Sequence, residues 1–303
     1  MEMAMIGLGK MGLNMATRLV RAGHRVVGYA RSADGVAAAV GRGVDGASSL
    51  DDLVGKLSRP RAVWLMLPAG EATGSTLETL ATKLDKDDAI IDGGNSNYRA
   101  TIARAARLRS LEIDFADVGT SGGVWGLTEV YSLMIGGNRG LVDRLRPIFE
   151  ALAPAADRGW GRVGPHGAGH FVKMVHNGIE YGMMQALAEG FSVLRAKQEF
   201  DLDLVEVARI WQDGSVVRSW LLDLAGRALR EEPDLSGVRP WIEDSGEGRW
   251  AAREAIDLGV AAPILTLALQ MRFASRDTVN FAARMVAALR GQFGGHGVPK
   301  VEQ

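Results

Sequence analysis

The chain has 303 residues, 47% hydrophobic and 23% charged, so it has the length for two domains and the apolar content for a sizeable core. A formal net charge of −1 gives no reason to expect nucleic acid or an anionic membrane as partner. With no cysteine, disulfides, thiolate metal sites and cysteine nucleophiles are excluded, which also fits a reducing compartment.

The sequence opens directly on a short apolar run, without a basic-then-apolar leader. No segment approaches the ~20 apolar residues needed to span a bilayer. The expectation is a soluble cytoplasmic protein. In chain order, strands are expected at Met3–Ile6, Arg25–Tyr29, Ala62–Leu67, Ala89–Asp92, Ile113–Val118 and Ser132–Ile135. Helical patterns such as Leu13–Ala22 and Arg99–Ser110 separate them. This alternation predicts a mainly parallel, doubly wound α/β sheet. The Gly-rich segment from Gly159 to Gly169 then ends the pattern, as a flexible linker or as an ordered hinge beside a site. Beyond it the periodicity is helical, over about 168–197, 202–211, 215–230, 249–258 and 263–290. The expected boundary lies near residue 164, giving domains 1–164 and 165–303, the second all-helical.

Two motifs carry chemistry. Gly7-Leu8-Gly9-Lys10-Met11-Gly12 follows the first strand and opens the first helix, the arrangement of a Rossmann-type dinucleotide site. Its glycines allow the tight turn, the approach of a pyrophosphate and close helix–strand packing, and the helix N-terminus favours an anion. At the end of the second strand the chain reads Ala30-Arg31-Ser32, with no acid for a ribose 2′-hydroxyl. Arg31 and Ser32 suit a 2′-phosphate, so NADP is favoured. Arg31 also fits a plain solvated cation, and Asp34 keeps NAD open. The second motif, Phe171–Gln185, places Lys173, His176, Asn177, Glu180 and Tyr181 on one broad face of a helix. An amine and a carboxyl among hydrogen-bonding groups suit proton transfer. The flanking Phe171, Val172, Met174, Val175, Ile179, Met183 and Met184 argue against a wholly solvated face.

With these residues the chain resembles the decarboxylating 6-phosphogluconate dehydrogenases, in their short form, within the β-hydroxyacid dehydrogenase superfamily. The resemblance rests on GLGKMG at 7–12, DGGNS at 92–96, GTSGG at 119–123, GHFVKMVHNGIEY at 169–181 and RGQFGGH at 290–296. It implies metal-free oxidation of 6-phosphogluconate at C3, decarboxylation and release of ribulose 5-phosphate, as in the pentose phosphate pathway. Lys173 would be the general base and then acid, and Glu180 the acid that protonates C1 of the enediol. A free lysine amine, with pKa ~10.4, is a poor base at neutral pH, so the role asks for burial or a nearby cation. The acid role asks for an enclosed carboxyl.

By the same resemblance, substrate would be bound by Ser121, Gly122, Gly123, Asn95, His176, Asn177, Tyr181 and Arg272. Arg290 and His296 would come from a neighbouring subunit, making a homodimer or homotetramer with shared sites. Leu67, Pro68 and Asn95 would join residues 7–12 at the cofactor. The chain departs from the long forms in lacking a duplicated helical segment, which a partner would have to supply. It also lacks their lysine and threonine in the loop Asp244–Arg249, where Arg249 is a candidate substitute. Two alternatives stand beside this reading. One is a 3-hydroxy acid dehydrogenase that does not decarboxylate, which leaves Glu180 and RGQFGGH unexplained. The other is a non-catalytic NAD(P)-binding protein, which would not need the Lys–His–Glu face.

Overall fold

The structure, a computed structural model, describes residues 1–294 and divides into two compact units, Met1–Asn177 and the residues from Gly178 onward. The first unit runs β1 (Glu2–Ile6), α1 (Lys10–Arg21), β2 (Arg25–Tyr29), α2 (Ala33–Val40), β3 (Asp45–Gly46) and α3 (Leu50–Gly55). It continues with β4 (Ala62–Leu65), α4 (Glu71–Ala81), β5 (Ala89–Asp92), α5 (Tyr98–Arg109) and β6 (Asp114–Ser121). Then come α6 (Gly126–Glu129), β7 (Ser132–Gly137), α7 (Arg139–Arg144), α8 (Arg146–Leu152), β8 (Trp160–Gly164) and the start of α9 (Ala168–Ala196).

The eight strands form one sheet in the order β3-β2-β1-β4-β5-β6-β7-β8. The first six are parallel; β7 runs antiparallel to β6, and β8 is parallel to β7. Strand periodicity explains why both faces are covered. Met3 and Met5 of β1, Trp64 of β4 and Ile91 of β5 point into one core, and Ala4, Ile6, Val63, Leu65 and Ile90 into the other.

The sequence pattern misses two strands. The two-residue β3 is too short to show an alternation. The Gly-rich segment is neither linker nor hinge over Trp160–Gly164, because that stretch pairs with β7 from Leu133 to Gly136 as β8. Trp160 secures it by stacking on Phe149 at 5.7 Å.

In the second unit the regular elements among the described residues are helices: the rest of α9, then α10 (Leu204–Gln212), α11 (Trp220–Glu231), α12 (Glu247–Asp257), α13 (Pro263–Ala274) and α14 (Phe281–Gly294). The single helix expected over 263–290 is two. Asp277 Oδ1 accepts from the backbone N–H groups of Val279 and Asn280 at 3.1 and 2.8 Å, and Asn280 takes φ 47°, so a turn replaces the helix between Ala274 and Phe281. No helix among the described residues is long and apolar enough to cross a membrane.

Candidate active site

The dinucleotide motif has the geometry its glycines require. Gly7 takes φ 93°, and a Cβ there would overlap the carbonyl of Met66. A Cβ on Gly12 would overlap Gly7 O, so helix and strand could not come as close. Gly9, exposed, has nothing within 4 Å of where its Cβ would be. It is also the N-cap of α1 and makes no side-chain cap, whereas Ser32, Ser49 and Asn97 cap α2, α3 and α5 with their side chains. An uncapped helix start with open space before it fits a pyrophosphate.

Lys10 is exposed and Met11 half-buried, but Leu8 turns its side chain into the core, so only its backbone can face a ligand. Arg31 and Ser32 are exposed after β2. The Ser32 hydroxyl accepts from Gly35 N at 3.2 Å, which leaves its own proton to donate. Beyond β4, Leu67 is half-buried and Pro68 exposed, and Asn95 stands exposed in the loop after β5.

The start of α9 is built onto the sheet. Gly169 packs so closely that a Cβ would lie 2.5 Å from both Asp117 O and Met134 O. The fully buried Asp117 carboxylate of β6 accepts from Gly167 N at 2.7 Å and His170 N at 2.9 Å, capping the helix with a negative charge. His170 in turn pairs through Nδ1 with Thr101 Oγ1 at 2.7 Å. Asp117 and Thr101 did not stand out in the sequence, where a charge inside an apolar strand reads only as an interruption, and His170 entered only as part of the 169–181 motif.

Lys173 follows one turn later, 7% exposed, against Gly119 of β6, which leaves room for its stem. Its Nζ lies 3.4 Å from His176 Nδ1. His176 Nε2 lies 3.3 Å from Ser121 Oγ, and His176 Nδ1 lies 3.2 Å from Asn177 Oδ1. Four of the expected residues therefore form one network in the first unit. His176 Nδ1 faces a donor, the amine, and an acceptor, the amide oxygen, and cannot serve both at once. With Nδ1 bare it accepts from Lys173 while Nε2–H donates to Ser121. With Nδ1 protonated it donates to Asn177, and a bare Nε2 accepts from the serine hydroxyl. Gly122 and Gly123 follow Ser121 with φ 127° and 54°.

The remaining expected residues lie in the second unit. Glu180 is half-buried on α9, two turns after Lys173. The enclosure expected from its neighbours is incomplete: Met174 is buried, but Val172, Ile179 and Met183 are exposed, because the apolar residues of α9 do not all face a core. Tyr181 is buried, with the Arg272 guanidinium 3.4 Å from its ring centroid and Gly248 pressed against the ring. Its hydroxyl is buried without a hydrogen-bond partner among the described residues.

Arg272 Nη1 donates to Glu243 O at 2.7 Å. Arg249 is engaged rather than free, bonded to the Asp244 carboxylate and stacked 4.6 Å over Phe273. Burial alone would raise the Asp244 pKa. The Arg249 hydrogen bond, the Gly246 N–H and the charges of Arg249 and Arg276 outweigh it and hold the group below its ordinary value. Arg290 is exposed on α14, and His296 lies outside the described residues. No cluster of three or more metal-ligating side chains occurs among the described residues.

Comparison with known proteins gives two family matches. Residues 2–161 match the NAD binding domain of 6-phosphogluconate dehydrogenase, and residues 169–292 match the 6-phosphogluconate dehydrogenase C-terminal domain. The chain is 43% identical over 301 residues to the NAD(+)-dependent, decarboxylating 6-phosphogluconate dehydrogenase of Haloferax volcanii, covering 99% of each chain. It is 36% identical over 291 residues to the NADP(+)-dependent, decarboxylating enzyme of Bacillus subtilis, covering 90% of this chain and 61% of that longer one. A solved 6-phosphogluconate dehydrogenase of Plasmodium falciparum matches with TM-score 0.84 at 26% identity, over 100% of this chain and 66% of that one.

Proposed function

The chain belongs to the 6-phosphogluconate dehydrogenase family, and on that premise we propose that it oxidatively decarboxylates 6-phosphogluconate to ribulose 5-phosphate and CO2. It is an NAD(P)-dependent oxidoreductase. The observation that carries the specific reading is the buried Lys173 amine, 3.4 Å from a histidine that also meets Ser121. A buried lysine in a polar network has the surroundings a proton-transfer group needs.

The dinucleotide supplies the hydride acceptor. Lys173 takes the C3 hydroxyl proton as the C3 hydrogen leaves with its electron pair, giving the 3-keto acid. The C1–C2 bond then breaks with loss of CO2, its electrons pass toward C3, and Lys173 returns its proton to the C3 oxygen. His176 steadies the amine with Nδ1 bare, when it accepts from Lys173; with Nδ1 protonated it donates to Asn177 instead and releases the amine. Glu180 delivers a proton to C1 of the enediol, the carbon that was C2 of 6-phosphogluconate, while the neutral Lys173 amine takes the hydroxyl proton back from the former C3 oxygen, leaving the ketone of ribulose 5-phosphate. The N–H groups of Gly122 and Gly123, with the Ser121 hydroxyl, suit the substrate carboxylate. The orphan Tyr181 hydroxyl, with the Arg272 guanidinium over the same ring, suits its phosphate.

Arg31 and Ser32 favour NADP, with NAD the alternative. Arg290 and His296 are proposed to serve a neighbouring subunit's site. The exposed Phe281, Val286 and Leu289 on α14 fit a surface that a partner covers, which supports at least a dimer. The test is incubation with 6-phosphogluconate and NADP or NAD, following reduced cofactor and CO2 together. Both products in equal amounts are expected. Reduced cofactor without CO2 would point to a simple 3-hydroxy acid dehydrogenase. Dinucleotide binding with neither product would point to a non-catalytic protein.

A further inference from the structure

The loops after β4 and β5 stand side by side at the carboxyl ends of neighbouring parallel strands, next to the Gly7–Gly12 turn after β1. This is the edge of such a sheet where ligands bind. The two loops touch: a Cβ on Gly94 would lie 2.7 Å from Leu67 O. Backbone contact alone does not fix their relative height. One side chain bridges them.

Arg104, on α5, donates through Nη1 to Asp92 Oδ2 at 3.1 Å and to Ser96 Oγ at 3.2 Å, and through Nη2 to Gly70 O at 3.2 Å. Asp92, fully buried at the end of β5, also accepts from Gly94 N at 3.1 Å and from Ser96 Oγ at 2.8 Å. The carboxylate thus shapes the turn Asp92–Ser96 from inside, and the guanidinium ties that turn to the end of the preceding loop. Asn95 lies between Gly94 and Ser96, the two residues Asp92 holds. Leu67 and Pro68 lie just before Gly70, the residue Arg104 holds.

We propose that Arg104 is a positioning residue for the nicotinamide half of the dinucleotide site, where the family resemblance places Asn95 between substrate and nicotinamide, its fork holding Asn95 in register with Leu67 and Pro68. The inference rests on the dinucleotide site proposed above. It adds a residue that touches neither cofactor nor substrate. A lysine could keep one of the contacts but not the fork, and a methionine none of them.

The test is calorimetric titration of the full chain with NADP or NAD and, separately, with the matching adenosine-diphosphate-ribose fragment that lacks nicotinamide. In Arg104→Met the whole dinucleotide should bind roughly tenfold more weakly, the loss expected for hydrogen bonds to a charged group, while the fragment binds within about twofold of wild type. Arg104→Lys should recover part of the loss. Hydrogen exchange of the free protein should quicken at the amides of 67, 69, 70 and 93–97 in Arg104→Met and not elsewhere in the sheet. Equal weakening of fragment and dinucleotide would mean general structural damage and would overturn the proposal, as would no weakening of either. Should Arg104→Met fail to fold, Ser96→Ala leaves the Arg104–Asp92 pair in place. It should weaken the whole dinucleotide about threefold and the fragment not at all, and unchanged binding of both would again overturn the proposal. A wild-type chain that binds neither dinucleotide would remove the site itself, a failure distinct from one in which wild type binds and the variants do not discriminate.

Discussion

Gly119→Ala tests whether Lys173 owes its place to a backbone approach. An added Cβ at Gly119 would overlap Lys173 Cβ and lie 2.7 Å from Gly169 O, while ordinary van der Waals contact begins at 3.4 Å. Neither neighbour is the free end of a flexible side chain, so α9 must retreat from β6 by at least the difference, about 0.7 Å. Overpacking of this kind costs ~1–3 kcal/mol of stability. At ~2–4 °C per kcal/mol for a unit of this size, the melting temperature should fall by about 2–12 °C. The catalytic loss should be larger in its consequences. A misplacement approaching 1 Å in a reacting group costs on the order of 10–100-fold in rate.

The assay is kcat and KM for 6-phosphogluconate, with a thermal melt on the same preparation. Gly140→Ala serves as control, because nothing lies within 4 Å of the Cβ it would add. The expectation is a drop in kcat of about 10–100-fold for Gly119→Ala and none for Gly140→Ala. A Gly119→Ala protein with wild-type kcat would refute the claim that this approach sets the position of the amine.

The other predictions concern proton carriers and a buried phenol. Lys173→Ala should lower the rate of oxidation by ~10³-fold or more while dinucleotide affinity stays within about twofold; substantial residual turnover would take the base role from Lys173. Glu180→Gln should fold normally and turn over slowly, with proton incorporation at C1 the impaired step. Normal release of ribulose 5-phosphate would leave Glu180 without its assigned part.

Tyr131 is fully buried, its hydroxyl lacks a partner among the described residues, and burial pushes its pKa up to about 12 against the opposing charge of Arg18. The folded value lies above the unfolded value of ~10, so the stabilisation is complete below that pH and is lost as pH rises from there through about 12. Tyr131→Phe should therefore be nearly neutral at pH 7 and show a shallower loss of stability above pH ~10 in denaturant melts. Identical alkaline slopes for the two proteins would count against this account.

What the sequence made legible was local. The Gly7–Gly12 motif sits between strand and helix as its spacing demands, and Lys173, His176 and Asn177 share a helix face because helical periodicity puts them there. What it concealed depends on distant partners. Trp160–Gly164 becomes a strand because β7 lies beside it, a neighbour that a glycine-rich composition does not reveal. The break between α13 and α14 was written locally, in Asp277 and Asn280, but the surrounding apolar pattern obscured it. Arg249 read as a candidate substitute for the missing lysine and threonine, but Asp244, five residues earlier, holds it. Nothing in the sequence singles out Arg104, and only the meeting of two loops makes it a tie between them.

The polar face of α9 is divided in its support. Lys173, His176 and Asn177 fall in the first compact unit, while Glu180 and Tyr181 fall in the second. Lys173 is held by what lies under the helix start: the Asp117 carboxylate capping two backbone N–H groups, and the glycines at 119 and 169 that let the helix lie flush on β6 and β7. Tyr181 is held by Gly248 and Arg272. The proposed base thus depends on sheet geometry and the proposed phosphate contact on helix packing. Substitutions under the sheet end of α9 should then fall on kcat through the amine, and substitutions around Arg272 on KM through the phosphate. That division follows from which residues support which group.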